Sequence, residues 1–297
     1  MRPECTSEAP SCRSPMPTVE EHGFAVLRRF ICRGELQRLK TLVDSAASSA
    51  SGVCERPNNT LLALRWNDAI VDLIVACEGR MRRLQAVLSA EDLKWISGYI
   101  SIKSSHSGPL WWHQDWWCWD HPVTYRKSPV QVAVLCYLCD TTQANGALRI
   151  LPGSHLRSSP IHALLPEAQS STPEGPLHKH PAMIELAGEE TIAVSAGDAV
   201  VIDYRVLHAT HANSTEMRRD CVLLSFAPAW RSLPNEVKAH LVQHPAQASP
   251  EELTGASLRC AKLLPTYDGE RKTLTLNRNA PPEFWITRDE GLAFGSA

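Results

Sequence analysis

The sequence predicts a mainly β protein, a barrel or sandwich with helices packed against it, and two observations lead to this fold class. Amphipathic helical patterns occupy residues 33–90, whereas short apolar runs separated by turn residues fill residues 95–230. The chain has 297 residues, 43% of them hydrophobic, which is enough to bury a full core. Because β barrels with added helices often reach this length as one unit, we expect residues 18–297 to form a single domain.

Residues 1–90 are predicted to form a tail, a strand and a helical layer. Residues 1–17 are polar and rich in proline and serine, a composition that predicts a disordered tail. A short strand is predicted at 23–30. Helices are predicted at 35–47, 67–77 and 80–88, because leucine, isoleucine and valine recur there at helical spacing.

After Trp95 the pattern changes to strands separated by turns. Strands are predicted at 96–102, 130–138, 147–151, 191–194, 199–204 and 221–226. Residues 157–181 contain five prolines and no periodicity, and we interpret this long irregular segment as a lid. The C-terminal extension, residues 231–297, shows one possible strand at 272–277 and no second core.

Charge and composition narrow the class of partner. The chain has 30 basic and 32 acidic residues, so nothing indicates broad binding to nucleic acid or to an anionic membrane. No apolar run approaches the roughly 20 residues that a spanning helix needs. Ten scattered cysteines and no readable export signal favour a reducing cytoplasm. A small-molecule substrate is therefore the predicted partner, and the sequence does not indicate an oligomeric state.

The motif at 111–115, Trp-Trp-His-Gln-Asp, is the strongest chemical signal. Side chains at i and i+2 of an extended segment face the same way, so His113 and Asp115 can bind one ion. A third ligand must come from elsewhere, and His208, which ends a strand-like segment, is the candidate. Two histidines and one carboxylate with open positions suit non-haem Fe(II), with zinc a less natural alternative. Alone, such a motif more often marks an ordinary histidine.

Further motifs strengthen this interpretation. Asn145 to His155 reads NGALRILPGSH, Gly197-Asp198 precedes the strand before His208, and Thr210, Asn213 and Arg218-Arg219 follow that histidine. A guanidinium on the next strand suits a dicarboxylate cosubstrate. With these segments, residues 20–230 resemble the phytanoyl-CoA dioxygenase family of Fe(II)- and 2-oxoglutarate-dependent oxygenases, which includes ectoine hydroxylase. The resemblance implies a double-stranded β-helix, the cupin-like jelly roll, with helices outside.

The resemblance also implies roles for particular residues. His113, Asp115 and His208 correspond to the iron ligands. Arg219, eleven residues after His208, corresponds to the anchor of the distal 2-oxoglutarate carboxylate, and Arg218 is an alternative on the opposite face of the strand. Further cosubstrate or active-site contacts are implied at Gln114, Thr210, Trp119 and Lys103. Ala209 replaces a glycine that many relatives have.

Aromatic and histidine residues near the motif are secondary candidates. Trp116 and Trp117 belong to a tryptophan-rich stretch that is predicted to line a substrate pocket, although part of that stretch is expected to pack in the core. Four other histidines rank below His208 as ligands. His155 belongs to the Pro-Gly-Ser-His turn, His211 would be a ligand only in a shifted register, and His106 and His121 are expected in solvated loops.

The activity that the resemblance implies uses Fe(II), 2-oxoglutarate and dioxygen, and it releases succinate and carbon dioxide. Hydroxylation of an unactivated C–H bond in a small or medium-sized metabolite is the default outcome, and desaturation, epimerisation and ring formation stay open. Two different functions are also compatible with the sequence. One is a cupin-like metal isomerase or hydrolase without 2-oxoglutarate, and the other is a non-catalytic jelly-roll binding module.

Overall fold

The computed structural model describes residues 17–49, 54–56, 59–165, 180–249, 252, 262–281 and 284–285. Eleven strands are found in this part of the chain: β1 Phe24–Leu27, β2 Cys54–Arg56, β3 Asn59–Leu64, β4 Lys94–Lys103, β5 Leu110–His113, β6 Val132–Tyr137, β7 Leu148–Ile150, β8 Glu190–Ile192, β9 Ala199–Asp203, β10 His208–Thr210 and β11 Arg219–Ala227. The described helices are α1 Val19–His22, α2 Arg33–Ser49, α3 Ala69–Val75, α4 Glu78–Leu88 and α5 Asn235–Leu241.

The strands form two antiparallel sheets. The larger has the order β1-β9-β6-β11-β4-β3-β2, and the smaller has the order β5-β10-β7-β8. Strands from distant parts of the chain alternate in the larger sheet, for example β6 between β9 and β11. The predicted mainly β fold with added helices is therefore confirmed.

The helical layer covers one face of the larger sheet. Leu39 and Val43 of α2 and Ile74 of α3 are fully buried there in one apolar cluster with Val222 and Leu224 of β11. Alternation along a strand sends successive side chains to opposite faces. The outward face of β11 thus packs on helices, which leaves its other face for the interior of the sandwich.

The buried Arg80 of α4 joins this helical layer together. Its guanidinium donates hydrogen bonds to the backbone oxygens of Phe30 (2.7 Å), Leu73 (3.1 Å) and Ile74 (2.7 Å), and it forms an ion pair with Glu35. Carbonyl groups at the end of a helix have no partner within the helix. Arg80 therefore satisfies the last carbonyls of α3 and ties α2, α3 and α4 to the start of the sheet.

Several local predictions differ from the structure. The predicted strand at 272–277 is wrong, because this segment makes only one isolated bridge, between Asn277 and Cys118. β2 and β3 were not predicted, since their sequence includes asparagine and arginine at the edge of the sheet, where alternation is weak. The predicted tail, except Pro17, and the middle of the predicted lid, 166–179, lie outside the described residues.

The remaining predicted helices and strands are present, with their ends shifted by up to three residues. The described residues contain no helix that is long and apolar enough to cross a membrane.

Candidate active site

His113, Asp115 and His208 lie together on the wall of the interior cavity, and their ligand atoms are all within 4.8 Å of one another. Nε2 of His208 is 3.5 Å from Oδ2 of Asp115, and Nε2 of His113 is 4.0 Å from Oδ1. In the described part of the chain, this is the one group of three or more such side chains with that spacing. The cluster has the donor types and the size of a metal site.

Strand pairing brings the two histidines together. His113 ends β5, His208 begins β10, and the two residues are directly opposite in the antiparallel pair. Cross-strand neighbours on one face have Cβ atoms about 5 Å apart. The imidazole rings accordingly approach to 4.1 Å between centroids.

Both imidazoles are oriented by their own strands. Nδ1 of His113 is 2.8 Å from the carbonyl oxygen of Trp111, and Nδ1 of His208 is 3.1 Å from the carbonyl oxygen of Val206. A carbonyl oxygen can only accept, so each Nδ1 carries the proton and each Nε2 keeps its lone pair. Such a contact is the usual way in which proteins orient a metal-binding histidine.

The turn between β9 and β10 positions Asp115. The carbonyl oxygen of Tyr204 accepts hydrogen bonds from the backbone N–H groups of Asp115 and Trp116, both at 2.9 Å. The carbonyl oxygen of Arg205, in the same turn, accepts a hydrogen bond from the Gln114 side chain. One short turn, three residues before His208, therefore holds Gln114 and Asp115.

Arg205 itself fixes that turn. Its guanidinium is fully buried, pairs with Asp203 and donates to the carbonyl oxygens of Thr124 (2.8 Å), Arg126 (2.6 Å) and Ser128 (3.3 Å). Burial would raise the pKa of Asp203, but the charge and hydrogen bonds of Arg205 outweigh it and hold the pKa below its ordinary value. The pair is thus ionised inside the protein.

Arg219 begins β11 and lines the same cavity as the three clustered side chains. It is 3% exposed, its guanidinium lies 5.5 Å from the centroid of the Tyr137 ring, and its Nε has no hydrogen-bond partner among the described residues. A buried guanidinium nitrogen without a partner is costly, and an anionic ligand would remove that cost. Arg218 instead faces Asp44 and Asp220 on the outside.

Lys103 lies opposite Arg219 in the register of β4 and β11 and is 1% exposed. Its ammonium donates to the carbonyl oxygen of Gly108 at 2.7 Å. Burial, together with the nearby Arg219 charge, lowers the pKa of Lys103 to about 7. Gly146 of the NGALRILPGSH motif, at φ +88°, packs on the Lys103 chain so closely that a Cβ there would collide with it.

The other predicted contacts are distributed unevenly around the cavity. Thr210 lines it, and its hydroxyl accepts a hydrogen bond from the Leu110 backbone at 3.3 Å. Gln114, Lys103 and Trp119 are buried but are not among the cavity-lining residues. The Trp119 ring instead packs on Phe284 and Trp285, at 5.0 and 5.9 Å between centroids.

The two candidate tryptophans have different surroundings. Trp117 lines the cavity, where it stacks on His240 at 4.4 Å, and its Nε1 donates to Gln131 at 2.8 Å. Trp116 lies in the core behind it and donates to the Thr124 hydroxyl at 2.9 Å. The structure therefore brings Trp117, but not Trp116, to the cavity.

The lower-ranked histidines do not join the cluster. Each has a different partner: His106 faces Glu216, His121 faces Glu236, His155 contacts the carbonyl oxygen of Glu20, and His211 contacts the Thr191 hydroxyl. Asn213, part of the motif after His208, is buried and donates to the carbonyl oxygens of Ser104 and Met217. None of these five side chains lines the cavity.

The cavity has a volume of about 480 Å³, within the range of small-molecule sites. Sequence reasoning did not identify the part of its wall formed by β3, by α5 and the turn after it, and by the segment 273–278. The missed residues include Asn59, His240, Gln243, His244 and Arg278. Only the unusual density of histidine at 240 and 244 could have drawn attention to this wall.

Comparison with known proteins agrees with this geometry. The family model described as phytanoyl-CoA dioxygenase (PhyH) matches residues 19–221, more than half of the chain. The chain belongs to the PhyH family. This match confirms the predicted family and, with it, the enzyme class of Fe(II)- and 2-oxoglutarate-dependent dioxygenases and the iron, 2-oxoglutarate and dioxygen on which that class depends.

Two curated relatives show how far the similarity of this PhyH member extends. L-proline trans-4-hydroxylase of Streptomyces griseoviridis is 29% identical over 139 residues, 42% of this chain and 50% of the relative. Ectoine dioxygenase of Nocardia farcinica is 22% identical over 276 residues, 86% of this chain and 84% of the relative. The chain thus spans about half the length of the first relative and most of the second.

Solved structures of similar proteins share the fold. The epimerase SnoN, in complex with Fe3+, alpha ketoglutarate and nogalamycin RO, has a TM-score of 0.53 at 18% identity over 70% of this chain and 80% of its own. HygX of Streptomyces hygroscopicus, with nickel, 2-oxoglutarate and hygromycin B bound, has a TM-score of 0.51 at 16% identity over 71% and 84%. These likenesses confirm the predicted jelly-roll fold of this PhyH member.

Proposed function

We propose that this PhyH-family protein hydroxylates an unactivated C–H bond of a small or medium-sized metabolite, with conversion of 2-oxoglutarate to succinate and carbon dioxide. The observation that carries the proposal is the His113, Asp115 and His208 cluster beside a buried Arg219 on one cavity. Two imidazoles that carry their protons on Nδ1 and one carboxylate fit Fe(II) and leave positions open for further ligands.

We propose that the unsatisfied Nε of Arg219 fits the second requirement of the reaction, a site for a dicarboxylate. Arg219 would bind the carboxylate of 2-oxoglutarate that is distant from the iron, and Thr210 lies on the same wall. Iron with bound 2-oxoglutarate supplies the activation of dioxygen that C–H cleavage needs. The carbonyl contacts of both imidazoles would leave their Nε2 atoms available to hold a metal.

The remaining chain residues would bind the substrate and exclude water. The apolar Leu110, Leu135 and Leu148 line the cavity near the cluster, which lowers the local access of water. Gln114, Trp119 and Lys103 would act from behind the wall as supports, because none of them lines the cavity. Residues 157–181 remain our candidate lid, with their central part outside the described residues.

The test is succinate formation by protein loaded anaerobically with Fe(II) and then supplied with 2-oxoglutarate, dioxygen and a metabolite library. We expect succinate release to rise above the basal level for at least one compound. His208→Ala should abolish release and lower the iron content. His211→Ala is the matched control, since His211 contacts Thr191 outside the cluster. A protein that binds no Fe(II) would favour a non-catalytic binding module.

Isotope labelling separates hydroxylation from other outcomes. With 18O2, hydroxylation places one labelled oxygen atom in the product, whereas epimerisation, desaturation or ring closure does not. If succinate forms but the product carries no label, the enzyme class holds and the hydroxylation proposal fails. If the substrate changes without 2-oxoglutarate, and Arg219→Ala has no effect, the protein is a metal isomerase or hydrolase.

The location of the protein remains a proposal. Six described cysteines are free thiols, among them the buried Cys118, Cys136 and Cys221. Free thiols at these positions support the predicted reducing cytoplasm.

A further inference from the structure

The C-terminal wall of the cavity consists of His240, Gln243 and His244, from α5 and the turn after it, and Arg278. All four residues lie beyond residue 221, where the match to the family ends. They face the same cavity as the His113, Asp115 and His208 cluster. This wall therefore needs an explanation other than iron and 2-oxoglutarate binding.

Backbone contacts make both wall histidines hydrogen-bond donors. The N–H of Leu274 donates to Nδ1 of His240, and the N–H of Ala246 donates to Nδ1 of His244, both at 3.1 Å. An imidazole that accepts at Nδ1 is neutral and carries its proton on Nε2. Burial, helped by Arg278, lowers the pKa of His240, and burial with His240 lowers that of His244. Each ring thus has one N–H to donate.

The position of the wall is fixed by a stack of side chains and a pair of backbone hydrogen bonds. Trp117 stacks on His240, and its Nε1 donates to Gln131, which donates to Ser225 at 2.7 Å. Asn277, next to Arg278, donates to the Trp117 carbonyl at 2.9 Å and accepts from the Trp119 N–H at 3.2 Å. These contacts hold Arg278 on the same cavity as the two histidines.

The charge of the cavity is unbalanced. Its lining contains the guanidinium groups of Arg219 and Arg278, and its only described carboxylate is Asp115, which belongs to the proposed iron site. The C-terminal wall contributes donors and a positive charge with no acidic side chain of its own. Such a surface is complementary to a substrate group that is negatively charged and accepts hydrogen bonds.

Arg219 and Arg278 come from different parts of the cavity wall. Arg219 begins β11, whereas Arg278 follows Asn277, which is hydrogen-bonded to the backbone of Trp117. The cosubstrate would occupy the Arg219 end, which leaves the C-terminal wall for the substrate.

We propose that the substrate is a small carboxylic acid whose carboxylate binds Arg278 and the Nε2–H groups of His240 and His244. This inference rests on the proposed function and adds the class of substrate. Arg278 supplies the charge, and the two neutral histidines define where the carboxylate sits. The rest of the substrate then extends across Trp117 towards the iron site.

The experiment compares matched pairs of free carboxylic acids and their primary amides, beginning with L-proline and L-prolinamide, in the succinate-release assay. Acids should support release, and each amide should have a kcat/KM at least about tenfold lower, because it lacks the charge. Arg278→Gln should raise the KM of the active acid roughly 10- to 100-fold and bring the acid-to-amide ratio close to one. Arg278→Lys should restore part of the preference.

Arg271→Gln is the matched control, since Arg271 is exposed on the same segment and does not line the cavity. Arg271→Gln should leave the KM and the kcat/KM of the active acid unchanged. Calorimetric titration of the Mn(II)- and 2-oxoglutarate-loaded protein with the same acid gives a binding constant that is independent of turnover, and Arg278→Gln should weaken it by the same factor.

The outcomes separate this inference from the proposed function. Succinate release that is supported equally by acids and amides, or by neutral compounds alone, would overturn the carboxylate assignment while the dioxygenase proposal stands. A panel in which no acid supports release would also overturn it. Absence of any iron-dependent conversion of 2-oxoglutarate would instead contradict the proposed function itself.

Discussion

Replacing Arg205 by methionine tests whether the buried ion pair with Asp203 holds the turn that carries the active site. Both side chains are 1% exposed, and the guanidinium makes contacts to three backbone carbonyls in addition to the carboxylate. Arg205→Met would leave the Asp203 charge buried without its partner. Breaking a buried pair in this way costs about 3–5 kcal/mol.

That loss should be visible in both chemical and thermal unfolding. We expect the free energy of unfolding in urea, followed by tryptophan fluorescence, to fall by about 3–5 kcal/mol. For a chain of this size, the corresponding fall in Tm is roughly 6–20 °C. Arg218→Met is the control, because Arg218 pairs with Asp44 and Asp220 at the surface and its side chain is 37% exposed. Its loss should cost about 0–1 kcal/mol.

The pH dependence of the stability that Arg205→Met loses gives a second test. The depressed pKa of Asp203 in the wild type stabilises the fold above its ordinary pKa, and this contribution is lost as the pH falls through the folded value. In Arg205→Met the carboxyl group takes up a proton at higher pH, which relieves its burial. The deficit should therefore be largest near neutral pH and smaller in acid. A loss below about 1 kcal/mol at neutral pH, or one equal to that of Arg218→Met, would refute the reasoning.

Three further predictions concern the cavity. Arg219→Met should weaken 2-oxoglutarate binding roughly 10- to 100-fold in calorimetry, as a charged hydrogen bond is lost, while Arg218→Met has no effect; equal effects would contradict the assignment. His113→Ala should lower the affinity for Fe(II) by more than about 100-fold in anaerobic titration, whereas His106→Ala should not. Lys103 has a pKa of about 7 in the folded protein and 10.5 as a free side chain. Between pH 7 and pH 10.5 the unfolded chain therefore binds a proton on Lys103 that the folded protein has lost. Wild-type stability should therefore increase relative to Lys103→Met as the pH rises from 7 to 10, measured by urea midpoints.

The sequence predicted the parts of the molecule where short-range pattern and chemistry agree. Alternation in β6 and β11 and the helical stripe of α2 identify these elements, because each has one face in a core. The spacing of His113 and Asp115 predicts a shared face for the same reason. His208 could be named only as a candidate from its place at the end of a strand-like segment, since the pairing of β5 with β10 joins segments far apart in the chain.

Long-range features of the site could not be predicted in this way. Trp116 and Trp117 are adjacent in sequence and have opposite environments, one in the core and the other on the cavity, but the sequence does not show which of the two side chains reaches the cavity. Arg278 lies in a segment without regular structure, and its place depends on hydrogen bonds of Asn277 to the distant Trp117. The spacing of apolar residues along the chain gives no information about such long-range hydrogen bonds.

The attachment of Asn277 to the loop around Trp117 has a consequence for how the enzyme can diversify. The residues proposed to hold iron and cosubstrate all lie before position 221, whereas the C-terminal wall is contributed by the chain after it. Two of the hydrogen bonds that join the two parts are between backbone groups and do not depend on the side chain at 277. Substitutions at His240, Gln243, His244 and Arg278 can thus change what the cavity recognises while the side chains that would bind iron and cosubstrate stay the same.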